Sequence, residues 1–109
     1  MRSLILVAAL LISAMVYGQP SNDDCANALF VPISLTGACN NTVASTTVGA
    51  TPSGNPACIG TAEDDIWFRF TATKTEHVIS LTDVNTDFPV FEVFSGTCGS
   101  LVSVKCSER

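Results

Sequence analysis

The side chains with chemistry within reach are ten acids, a single His, five Cys and a single Trp. Glu63, Asp64 and Asp65 stand directly before an apolar run, and Asp23 and Asp24 directly before Cys25. Acidic loops of this kind supply the hard oxygens that Ca²⁺ takes, and Asp23, Asp24, Asp64 and Asp65 are the candidate ligands. No EF-hand loop signature accompanies them, and solvated or turn-capping acids are the plainer reading. His77 would serve as a base only beside a nucleophile and an orienting carboxylate. No G-x-S-x-G or H-E-x-x-H motif is present, so His77 reads as a strand residue. Glu63, Glu76 and Glu92 could be paired for glycoside hydrolysis, but nothing in their spacing marks them out. Trp67 offers a face for stacking a sugar. Set between Ile66 and Phe68, it reads instead as a core anchor together with Phe68 and Phe70.

The elements that must position these residues begin after an N-terminal leader. Residues 1–3 carry one positive charge, residues 4–15 are an apolar run, and Val16-Tyr17-Gly18 places small residues before a cut. That is the pattern of a Sec-type signal peptide over 1–18, cleaved between Gly18 and Gln19. The apolar run is shorter than the ~20 residues a spanning helix needs, and no later stretch is long enough to span. The mature chain would keep 91 of the 109 residues, enough for one small domain. Loss of Arg2 leaves four basic residues against ten acids, a net charge of −6. An acidic chain of this kind repels nucleic acid.

Residues 19–24 read as a polar linker and 25–109 as the domain. Asp23 or Asp24 can cap a short helical turn over 25–29. Strands are expected over 29–35, where Pro32 implies an edge or a bulge, and weakly over 42–49. Residues 66–71 make the strongest strand, entered from the acidic loop. Further strands are expected over 76–82, 89–95 and 101–106, with a Gly-rich turn over 96–100. About six short strands and no sustained helical period predict an all-β fold, an antiparallel β-sandwich. The exposed edge left at the end of such a set suggests that closing strands are missing.

Three pieces together resemble one pattern. They are Asn22-Asp23-Asp24-Cys25-Ala26-Asn27-Ala28, then Asp65-Ile66-Trp67-Phe68-Arg69-Phe70, then residues 87–101 with Phe94-Ser95-Gly96-Thr97-Cys98-Gly99-Ser100-Leu101, followed by Cys106. The chain over 22–106 resembles the jelly-roll-like β-sandwich modules of Bacteroidetes-type secreted proteins. Those modules are similar to bacterial pre-peptidase C-terminal domains and, loosely, to CUB domains. The resemblance implies a module of a larger multidomain extracellular protein, exported by Sec and then by type IX secretion. It implies no catalytic site of its own. Its partners would be glycans or extracellular proteins, and CUB-like sandwiches sometimes hold Ca²⁺ in such loops. The family pattern continues with further strands and a sorting domain that do not follow Cys106 here.

Five Cys in a small secreted chain predict a disulfide-stapled fold with two bridges and one Cys left over. Cys98 and Cys106 are eight residues apart across a Gly-rich turn, close enough to be paired. Cys25 with Cys39 would tie the lead-in to the first turn. Cys58 is then the odd one: a free thiol, an intermolecular bridge, or a thiol whose partner is missing. The resemblance places that partner in a later strand. The function expected is a non-catalytic binding, adhesion or spacer module. The alternative is an accessory domain of a secreted peptidase or glycosidase whose catalytic domain lies elsewhere.

Overall fold

The computed structural model describes residues 18–55, 58–85 and 89–107. The expected signal peptide lies outside these residues except for Gly18. Among the described residues the only helical element is a 3-10 turn, η1, over Cys25–Asn27. Four strands come after it: β1 (Leu29–Phe30), β2 (Phe68–Arg69), β3 (Glu92–Ser95) and β4 (Val102–Cys106). They form two two-stranded sheets, β1 with β2 and β3 with β4.

The two sheets have different sense, and chain length explains it. Only a short Gly-rich turn joins β3 to β4, so the pair is antiparallel. A long stretch of chain separates β1 from β2, which frees them to run parallel, contrary to the wholly antiparallel expectation. Leu29 pairs with Phe68 and Phe30 with Arg69. The rungs are Leu29 N–H to the Trp67 carbonyl at 3.1 Å and Val31 N–H to the Arg69 carbonyl at 2.8 Å. The strand expected over 29–35 is laddered only over Leu29–Phe30. The Arg69 guanidinium lies over the Phe30 ring, 5.2 Å from its centroid. The segments expected as strands over 42–49 and 76–82 form no strand, and the remaining strands are shorter than expected. Their Thr, Val and Ile residues suit a sheet, but a strand needs a partner to ladder with.

The β3–β4 hairpin turns through Gly96 (φ +103°) and Gly99 (φ +95°), closed by Ser100 N–H to the Thr97 carbonyl at 2.9 Å. A β carbon on Gly96 would lie 2.7 Å from the Ser100 carbonyl oxygen, so this turn requires glycine there. A bulge between Val93 and Phe94 leaves Val104 as the extra residue on β4. At the open end, Ser107 N–H donates to the Phe91 carbonyl at 2.8 Å, and Phe91 N–H to Ser107 Oγ at 2.8 Å.

Two disulfides fasten this hairpin at both ends. Cys25 in η1 bridges Cys98 in the hairpin turn, and Cys58 bridges Cys106 at the end of β4. Cys39 is free and exposed. This corrects the expected pairs Cys98 with Cys106 and Cys25 with Cys39, and the expected odd Cys58. The reason is geometric. Cys98 sits in the turn and Cys106 at the far end of an extended strand, and strand rise alone puts about 13 Å between Val102 and Cys106. A bridge needs α carbons within about 7 Å.

No apolar side chain among the described residues is fully buried; the buried residues are Asn22 and Asp23, at 0 % and 4 % exposure. The expected core anchors are therefore corrected in part. Trp67 is half-buried, with its ring centroid 5.9 Å from that of Phe94 on β3. Phe68 and Phe70 remain 40 % and 36 % exposed, because a two-stranded sheet brings no second layer over them. Phe70 and His77 meet in a T-shaped pair, at 5.5 Å between centroids.

Candidate functional site

The densest polar cluster lies where the N-terminal segment crosses the start of β2. Trp67 N–H donates to the Asn22 carbonyl at 2.8 Å, so both backbone groups of Trp67 are paired, its carbonyl with Leu29 N–H of β1. The Asn22 side chain completes the grip. Its Nδ2 donates to the Trp67 carbonyl at 3.0 Å, and its Oδ1 accepts from Ser45 Oγ at 2.8 Å. A fully buried amide has to find partners for both ends, and here it does. One residue thus ties three separate segments.

Asp23 extends the cluster. Its Oδ1 accepts Thr51 N–H at 2.6 Å and its Oδ2 accepts Thr51 Oγ1 at 2.7 Å. Asp65, just before β2, accepts Ser53 N–H at 3.0 Å. The loop carrying Thr51 and Ser53 is therefore held by two carboxylates from different parts of the chain. Hydrogen bonds to an ionised acceptor are the stronger kind, which suits a loop with two Pro and two Gly.

The candidate calcium ligands do not assemble. Both Asp23 oxygens face Thr51, Asp65 holds Ser53, and Asp24 and Asp64 are exposed. Among the described residues no group of three or more His, Cys, Asp or Glu side chains comes together as a cation site. This donor set does not fit Ca²⁺, which takes 6–8 oxygens. Asp24 does take the cap position of η1, with extended backbone, but its side chain makes no capping bond.

The other chemically capable residues also hold structure. His77 Nε2 accepts from the N–H groups of Thr73 (3.2 Å) and Lys74 (3.3 Å), closing the turn that precedes it. That bond set requires the proton on Nδ1 and leaves Nε2 no lone pair for a substrate. Glu92 accepts from Ser103 Oγ across the hairpin at 2.7 Å. Trp67 Nε1 is buried and has no hydrogen-bond partner in the protein. With one ring face turned to Phe94 and its polar edge inside, Trp67 is placed as a wedge between β2 and the hairpin.

Asn22, Ser45, Thr51 and Ser53 carry this cluster, and sequence reasoning singled out none of them as site residues. Only the Asn22-Asp23-Asp24-Cys25 string was prominent, and it gave no sign of which of its members would be buried. The chain matches no protein-family model, no curated protein and no solved structure.

Proposed function

We propose that this chain is a non-catalytic extracellular module, used for binding, adhesion or spacing within a larger secreted or surface protein. The observation that carries the reading is the pair of interleaved bridges, Cys25–Cys98 and Cys58–Cys106. A chain with two staples and, among the described residues, no fully buried apolar side chain suits an oxidising compartment. A jelly-roll-like sandwich remains the proposed architecture, resting on the likeness of the 65–70 strand and the 94–101 turn to secreted sandwich modules. Apolar side chains presented outward, among them Phe30, Val78 and Val102, support a surface that is covered in a larger assembly.

The test is direct. The oxidised full chain is assayed for retention on polysaccharides and on extracellular protein fractions, and in parallel for hydrolysis of peptides and glycosides. Specific retention without turnover supports the proposal. Turnover that tracks the purified chain overturns it. Retention confined to the substrates of one class of hydrolase would favour the accessory-domain alternative.

A further inference from the structure

We propose that His77 is a latch, released by acid, on the turn that joins the β2 segment to residues 76–82. The inference is independent of the binding and adhesion reading above. His77 Nε2 accepts from Thr73 N–H at 3.2 Å and from Lys74 N–H at 3.3 Å. The chain bends at Lys74 and Thr75, between these donors and the ring. Two successive N–H groups that converge make a concavity suited to a lone pair or a negative charge. Here the lone pair of an uncharged imidazole fills it.

An imidazolium cannot fill it, because it donates at both nitrogens. Protonation of Nε2 turns one acceptor into a third donor facing two donors. The two bonds that close the turn are then lost together. The ring is half-buried, so water can deliver the proton. Histidine ordinarily makes this change between about pH 5 and 8.

The charged groups around the ring are few. Lys74 lies in the turn and Glu76 directly precedes His77, both exposed. From the β2 side the ring meets Phe70, which carries no charge. Arg69, beside Phe70, lies over the Phe30 ring instead. The latch governs a segment that can use the freedom. Residues 76–82 are rich in strand-forming types yet unladdered, and Val78 and Leu81 are 81 % and 47 % exposed. With the turn closed, their direction from β2 is set. With it open, the apolar stretch is presented differently.

The test is a nitrogen-15 NMR titration of the oxidised full chain, following the His77 ring and the Thr73 and Lys74 amides. At about pH 8, above the usual histidine range, the ring should carry its proton on Nδ1, whereas free neutral histidine favours Nε2. As pH falls, both amides should shift with the midpoint of the ring, while the β3–β4 amides stay in place. His77→Gln offers an acceptor that does not titrate and should abolish the step. Glu76→Gln should keep it, since carboxylates take their proton in a more acid range than imidazole. A ring protonated on Nε2 at that starting pH overturns the latch. So do Thr73 and Lys74 amides that ignore the ring midpoint, a step that survives His77→Gln, one lost with Glu76→Gln, or one shared equally by the hairpin.

Discussion

Replacement of Asn22 isolates the polar tie from the staples. In Asn22→Ala both side-chain bonds go, the one to the Trp67 carbonyl and the one from Ser45. The Trp67 carbonyl keeps Leu29 N–H, and Ser45 is exposed enough to turn to water. The loss is thus two net hydrogen bonds and a small void, about 2–3 kcal/mol. Asn22→Asp has nearly the same shape but puts a carboxylate oxygen where Nδ2 stands, 3.0 Å from a carbonyl oxygen. A buried, unpaired charge costs about 3–5 kcal/mol, so at pH 7 Asn22→Asp should be the less stable variant. The order should change with acid. Burial raises the folded-state pKa of the introduced carboxyl above its unfolded value, so the folded state binds the proton more tightly. The penalty is then absent below the unfolded pKa and grows as pH rises through the folded one. When protonated, the carboxyl can again donate to the Trp67 carbonyl. The assay is urea unfolding with the bridges intact, followed by fluorescence of Trp67, the only Trp and a direct neighbour of the site. Equal midpoints for Asn22→Ala and the parent chain, or an Asn22→Asp variant stable at pH 7 and indifferent to acid, would refute the tie.

Three other outcomes are expected from the same geometry. Cys25→Ser with Cys98→Ser leaves Cys58–Cys106 closed, so it frees a covalent loop of about 40 residues and should cost about 4 kcal/mol in the chain-entropy account, read as a lowered melting temperature that reductant lowers further. Gly96→Ala places a β carbon against the Ser100 carbonyl at a φ unsuited to alanine, and should cost about 1–3 kcal/mol by chemical denaturation while leaving both bridges formed on peptide mapping. Trp67→Ala removes the wedge against Phe94; because Trp67 is only half-buried, about 3 kcal/mol is expected, the lower end of the range for large aromatics, and circular dichroism melts check it.

Local signals in the sequence were sufficient where one residue settles the backbone. The glycines at 96 and 99 make the hairpin turn, and strong β-formers before and after that turn become β3 and β4. The strand around Trp67 was legible for the same reason, although only Phe68–Arg69 is laddered to β1. Residues 76–82 show the limit. Their composition favours a strand, but strand formation is decided by a partner, and a partner is a long-range fact. The core anchors failed in the same way: period-two alternation says that Phe68 and Phe70 share a face, not that anything covers it.

The disulfides make the sharper case. Closeness in sequence suggested Cys98 with Cys106, yet an extended strand separates residues faster than any other regular structure does. Once β4 is laddered to β3, its two ends can no longer meet, and each Cys must find a partner from elsewhere in the chain. Cys25 and Cys58 are those partners, and their loops interleave, since Cys58 lies between Cys25 and Cys98 while Cys98 lies between Cys58 and Cys106. Interleaving means that neither bridge is independent of the other. With Cys58–Cys106 closed, the shortest covalent path from Cys25 to Cys98 runs over that bridge and is about 40 residues, so the second closure restricts a chain already restricted. The hairpin is thereby fixed at its turn to η1 and at its far end to the Cys58 loop. Between those two points Phe94 meets Trp67, and Trp67 is in turn gripped by Asn22. Covalent ends and a polar centre hold this part of the chain where a small domain would otherwise need a larger apolar core.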